Sequence, residues 1–171
     1  MIKVGIIGAT GYTGEELIRL LVTRPDIELT TLTSRNEVGT KVQDYYPHFK
    51  GLIDQSFVAY DPNQIFDQVD VLFLCLPHGA SMEIAKAAQA HDVKVIDLGA
   101  DFRLKDSQVY QEYYGIPQTE PDLLEQAVYG LPELYAADIQ KADLIANPGC
   151  FVTCSLLALL PVIDQDFIRT D

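Results

Sequence analysis

The run Asn147-Pro148-Gly149-Cys150 places a thiol directly after a turn and directly before FVTCSLLALL (151–160), an apolar segment that reads as a helix. Asp143 to Ala146, ahead of the turn, reads as a strand. A cysteine in the first turn of a helix faces the positive end of the aligned backbone dipoles, which favours the thiolate. Such a thiolate is a nucleophile for acyl transfer. Taken alone, Cys150 reads equally as a small apolar residue at a strand–helix junction. Cys154, one turn on, would sit inside the helix without the same advantage, and Cys75, one residue inside an apolar run, reads as inert core.

A second set of residues has the spacing of a phosphate cradle. Ile2, Val4, Ile6 and Ile7 form an apolar run, GATGYTG (8–14) follows, and EELIRLL (15–21) carries apolar residues at helical spacing. In such a strand, turn and helix, Gly8, Gly11 and Gly14 allow a tight turn and close approach of a diphosphate, and the helix start offers free N–H groups to the anion. The natural ligand is a dinucleotide. The spacing is G-x-x-G-x-x-G and not the commoner G-x-G-x-x-G, and a plain strand–turn–helix without a ligand is the alternative. A second alternating strand, Ile27 to Thr33, ends at Ser34-Arg35. An acidic residue there would hold the ribose 2'-hydroxyl of NAD, whereas Arg35 suits the 2'-phosphate of NADP and Ser34 can add a hydroxyl. A solvated loop arginine is the plainer reading, and Glu37 stands nearby.

These groups need a scaffold to bring them together. Val69 to Leu76 is a continuous apolar run of the kind buried on both faces of a parallel sheet, and it stops at Pro77-His78-Gly79 before a helix over 80–90. Ligands of open parallel sheets lie beyond the carboxyl ends of the strands, so Leu76, Pro77, His78 and Gly79 belong on the cofactor side. Val93 to Leu98 is the next strand, and Asp101 and Arg103 on its rim could orient each other and present a guanidinium to an anionic substrate group. Strands alternating with helices predict an α/β fold with a doubly wound, mostly parallel sheet. Residues 36–56 read as a long excursion before a short strand at Phe57–Tyr60. YGIPQ (114–118) and YGLPE (129–133) read as loop entries, with brief helices over 122–126 and 133–140.

Composition bounds the function. The chain has 171 residues, 48% of them hydrophobic, enough for about one domain. Its formal net charge of −13 repels phosphate backbones, which argues against nucleic acid as a partner and leaves any nucleotide to local donors. The three cysteines are an odd number without metal-ligand spacing, so no metal site is expected and a reducing, cytoplasmic setting fits. No signal-peptide pattern opens the chain, and no apolar run reaches the length of a membrane span. His48, with no second ligand in view, reads as a surface or packing residue.

Together GATGYTG (8–14), TSR (33–35), LPHG (76–79), DLGADFRL (97–104), YGLPE (129–133) and NPGC (147–150) closely resemble the N-acetyl-gamma-glutamyl-phosphate reductases, in the correct order along the whole chain. The resemblance implies a Rossmann-type NADP-binding domain over 1–148, with 149–171 the cysteine helix and only the start of a second domain. It implies an acyl-phosphate substrate, attack by Cys150 and hydride from NADPH. Gly11, Tyr12, Thr13 and Gly14, with Gly8 and Thr10 of the same turn, would hold the diphosphate, and Ser34 and Arg35 the 2'-phosphate. Leu76 to Gly79 would line the nucleotide site, Arg103 would meet an anionic substrate group, and Asn147 would support the thiolate turn. Two positions depart from the family pattern: Gly99, where serine is frequent, and Val152, where proline is frequent. The resemblance further implies a second domain, absent here, that supplies the catalytic histidine and the interface of a homo-oligomer. Aspartate-semialdehyde dehydrogenase and aminoadipate-phosphate reductase share the chemistry, and a non-enzymatic NADP-binding module is a third possibility.

Overall fold

The computed structural model describes residues 1–165, 167 and 168; residue 166 and residues 169–171 of the expected second-domain start lie outside them. Six strands, β1 (Ile2–Ile7), β2 (Ile27–Leu32), β3 (Val71–Leu74), β4 (Lys94–Asp97), β5 (Val128–Tyr129) and β6 (Leu144–Ala146), form one sheet in the order β2-β1-β3-β4-β6-β5. Every pairing is parallel. The helices are α1 (Tyr12–Leu21), α2 (Val42–Tyr45), α3 (Pro62–Ile65), α4 (Met82–Gln89), α5 (Ser107–Tyr114), α6 (Pro121–Gln126), α7 (Pro132–Ile139) and α8 (Cys150–Asp164).

The apolar runs are continuous because the central strands are buried on both faces. In β3, Leu72 and Leu74 join one core with Met82, Ala85 and Ala88 of α4, whereas Phe73 packs with Ile6, Ile18 of α1 and Leu32 on the other side. The excursion after β2 belongs to this second core, where Val42, Tyr46, Phe49 and Phe57 are buried. Helices on opposite faces make the fold doubly wound, as expected. The chain runs from β1 outward to β2 and then back to β3 on the other side of β1, so the order reverses between β1 and β3. A crevice opens beyond the carboxyl ends of strands at such a point.

Four local expectations are corrected. Helix α1 begins at Tyr12 and not at Glu15, so Gly14 lies inside its first turn. Phe57–Tyr60 is not a strand: its pairing is reduced to a parallel bridge between Val58 and Thr33. Tyr129, the first residue of YGLPE, closes β5, a two-residue strand beside β6. Helix α5 is added, capped by Asp106, whose carboxylate accepts the amides of Gln108 at 2.8 Å and Val109 at 3.2 Å, and stopped by Gly115 at φ +68°.

Candidate active site

The nucleotide side is built on the end of β1. Gly8 has φ +84°, and a Cβ there would lie 2.3 Å from the Cys75 carbonyl oxygen, so only glycine lets the turn pass this close to β3. The amides of Gly8 and Ala9 are spent on Thr33, on Oγ1 at 3.2 Å and the carbonyl at 2.9 Å. Gly11 caps α1, and the first intrahelical bond runs from the Glu15 N–H to the Gly11 carbonyl. The amides of Tyr12, Thr13 and Gly14 precede it, at the positions where a helix offers N–H groups to an anion.

A cleft of about 460 Å³ brings Gly8, Thr10, Gly11, Ser34, Arg35, Leu76 and Pro77 together. Ser34 is nearly buried, with Oγ 3.1 Å from Thr10 Oγ1 and accepting the Glu37 N–H at 3.2 Å. Arg35 is exposed at the cleft and makes no ion pair among the described residues. A glycine cradle at one end and an uncommitted guanidinium at the other fit a phosphorylated dinucleotide. The cleft does not include the side chains of Tyr12, which stands in solvent, or of His78, whose ring meets Tyr114 edge-on at 4.8 Å. Gly14 is buried against Ala9 and Gly8, and Gly79 lies against Ile116. Tyr60 and Ile84 line this cleft and were missed: neither stands next to a motif in the chain.

The nucleophile side is built on the ends of β4 and β6. Cys150 is the first residue of α8, is exposed, and follows Gly149 as N-cap. The Asn147 N–H donates to the Asp97 carbonyl at 2.8 Å, which continues the β4–β6 pairing into the turn. Arg103 closes the turn from above. Its Nε donates to the Asn147 carbonyl at 2.7 Å and its Nη2 to the Leu98 carbonyl at 2.8 Å. Nη1 lies beside Gly149, 3.3 Å from where a Cβ would stand. A cleft of about 790 Å³ is lined by Cys150 with Thr13, Arg103, Leu131, Glu133 and Asn147. Thr13, expected on the diphosphate, faces this cleft, so the start of α1 borders both. Gly130 passes so close to β6 that a Cβ would lie 2.9 Å from Ile145, a constraint that the glycine of YGLPE signalled. Cys154 lies inside α8, one turn beyond Cys150, as expected, and is exposed on the same cleft.

Asp101 and Arg103 do not orient each other. Asp101 turns inward and accepts the amides of Gly79 at 2.7 Å and Ser81 at 3.0 Å and the hydroxyl of Tyr110 at 2.7 Å. Asp97, fully buried, accepts the Ser81 hydroxyl at 2.7 Å and the Gly99 amide at 2.9 Å through Oδ1, while Oδ2 has no partner among the described residues. Burial pushes its carboxyl up to about 6 against the pull of those two bonds. Burial, helped by the charge of Asp97, pushes the Cys75 thiol up to about 12, as suits an inert core thiol. Among the described residues no cluster of histidine, cysteine, aspartate or glutamate could hold a metal ion. His48 packs on Phe49 beside Glu15, in the packing role its sequence context suggested. No helix of the described residues is long and apolar enough to cross a membrane.

A family model described as "Semialdehyde dehydrogenase, NAD binding domain" matches residues 3–142. The chain belongs to this family. It is 48% identical to an N-acetyl-gamma-glutamyl-phosphate reductase of Desulforudis audaxviator over 168 residues, 98% of this chain and 49% of that protein. A reductase of the same name from Halothermothrix orenii is 49% identical over 99% of this chain and 49% of its own length. The resemblance read from the motifs thus extends over the whole chain, and the chain spans about half the length of the curated relatives it matches. In fold it is similar to aspartate semialdehyde dehydrogenase II of Vibrio cholerae, with a TM-score of 0.67 at 24% identity over 96% of this chain and 47% of that one.

Proposed function

We propose that the chain carries the cofactor-binding half and the nucleophile of an NADPH-dependent acyl-phosphate reductase acting on N-acetyl-gamma-glutamyl phosphate. The observation that carries this reading is the placement of Cys150: exposed at the first position of α8, in a cleft that shares the start of α1 with the nucleotide cleft. Gly8 and Gly11 would cradle the diphosphate, Ser34 and Arg35 the 2'-phosphate, and Leu76 and Pro77 would line the nucleotide. The Cys150 Sγ would bond to the acyl carbon as the carbon–oxygen bond to phosphate breaks, which leaves a thioester and inorganic phosphate. When bound, NADPH supplies the hydride that reduces the thioester to the semialdehyde and frees the thiolate. Arg103 bonds the Asn147 carbonyl in the turn that carries Cys150, and its Nη1 would meet an anionic substrate group.

The rest of the full-length enzyme would supply a catalytic histidine and cover α8, whose Phe151 and Leu159 are 87% and 49% exposed. A cytoplasmic homo-oligomer is the assembly this reading proposes. The test on the 171-residue chain combines titration with NADPH, mass-spectrometric mapping of iodoacetamide adducts, and an NADPH-oxidation assay with the acyl phosphate. The expected result is NADPH binding, alkylation of Cys150 ahead of Cys75, and turnover near background, since an absent acid or base costs about 10²- to 10⁴-fold. Robust turnover would mean that one of the chain's own histidines serves the reaction. An inert Cys150 would favour a non-enzymatic NADP-binding module, and a substrate panel on the full-length enzyme would separate aspartyl and aminoadipyl phosphates.

A further inference from the structure

The geometry points to Asp101 as a positioning residue for the cofactor, acting from beneath the Pro77–Ser81 turn and touching no ligand itself; this rests on the NADPH reading above. Pro77 and Ala80 face the nucleotide cleft, while His78 and Gly79 between them do not. Gly79 at φ +84° turns the backbone so that its own amide and that of Ser81 point into the protein, where both meet the Asp101 carboxylate. Asp101 is fully buried, and each of its oxygens accepts a backbone amide of this one turn. Ser81 is held a second time by Asp97 through its hydroxyl. The hold closes on itself: Tyr110 donates to Asp101 and stacks on Tyr114 at 5.0 Å, and Tyr114 meets His78 of the same turn. Two buried carboxylates under one exposed turn are more than a surface loop needs, because ordinary turns satisfy their amides with water or their own carbonyls. Their effect is to fix Pro77 and Ala80 as one rigid wall of the cleft before any nucleotide arrives.

Asp101→Asn keeps the shape but has one acceptor oxygen. Whichever way the amide turns, its NH₂ faces a donor, either Ser81 N–H or Gly79 N–H with Tyr110 O–H, so one side of the turn comes loose. The comparison variant is Lys94→Ala, which removes the Lys94 bonds to the Ala142 carbonyl at 3.0 Å and the Asp143 carboxylate at 2.6 Å, at the amino end of β4 and away from the cleft. The expected result is a roughly tenfold rise in the NADPH Kd for Asp101→Asn and a change within about twofold for Lys94→Ala. Equal Kd values for the two variants overturn the positioning role. Amide hydrogen exchange on the unmodified chain decides the matter if Asp101→Asn fails to fold: strong protection of Gly79 and Ser81 supports the hold, and exchange at the rate of a free peptide overturns it. A chain that binds no NADPH would sink the cofactor reading instead, and the exchange measurement would still stand.

Discussion

Arg103 reaches across 44 residues of sequence to donate its Nε–H to the Asn147 carbonyl, 2.7 Å away. With the Leu98 carbonyl taken by Nη2, the guanidinium staples the loop after β4 to the turn that carries the nucleophile. A lysine ammonium is a single point of donors without the planar fork that reaches these two carbonyls from separate nitrogens. Arg103→Lys is therefore expected to lower stability by about 1–3 kcal/mol and to slow alkylation of Cys150. Urea denaturation and timed mass spectrometry measure the two; parent-like values in both would show that the staple is idle.

Arg35 sits at the nucleotide cleft without an acidic partner among the described residues, and in the proposed complex it meets the 2'-phosphate. Arg35→Ala is expected to cost about 1.5–3 kcal/mol of NADPH affinity, a tenfold to hundredfold loss, while NADH binding stays nearly constant. Titrations at fixed ionic strength check this. Equal affinities for NADPH and NADH in the unmodified chain would refute the assignment.

Gly11 and Gly14 carry different demands. A Cβ on Gly14 would lie 2.6 Å from Ala9 Cα and from the Gly8 carbonyl oxygen, both backbone atoms, whereas one on Gly11 would find its nearest neighbour at 3.6 Å. Gly14→Ala should destabilise by about 1–3 kcal/mol despite the better helix propensity of alanine. Gly11→Ala should leave thermal stability unchanged and weaken NADPH instead. The reverse ordering in melting experiments would contradict the packing described.

Asp97 predicts a pH dependence of definite sign. Its carboxyl titrates near 6 in the fold against an ordinary 3.8, so the native state binds its proton more tightly, and ionisation destabilises the fold. The penalty is absent below about pH 4, grows between about 4 and 6, and is constant above. Asp97→Asn removes it, so the stability of the variant relative to the parent should rise from pH 4 to pH 7 by up to about 3 kcal/mol. Denaturation curves at the two pH values give the difference directly, and a flat difference would mean that Asp97 is already ionised without penalty.

Much of this architecture was legible because it depends on local patterns. The runs Val4–Ile7 and Val71–Leu74 are apolar on both faces, which marks central parallel strands, and the motifs at the strand ends fall on one edge of the sheet by topology alone. The errors share a different cause. Helix α5 had its cap and stop in Asp106 and Gly115, yet only Tyr110 among its residues is buried, so no apolar stripe announced it. Strand β5 is too short for any period to show. Asp101 and Arg103 are neighbours in a turn, and spacing of two says nothing about which side chain turns inward. The ties of Asp97 and Asp101 to Ser81 and Gly79 span 16 to 22 residues, and no local rule reaches that far.

The strand order also bears on how the chain is made. β1 pairs with β3 through Val4 and Val71, 67 residues later, and no pair of strands in the sheet is a hairpin. At a translation rate of about 5–20 residues per second, the first strand waits roughly 3–13 seconds after synthesis for its inner neighbour to be made. Through that interval β2 can pair with one edge of β1, while the edge that will meet β3 stays open. Slower codons between residues 32 and 71 would lengthen the exposure of that edge to chaperones and to other copies of the chain.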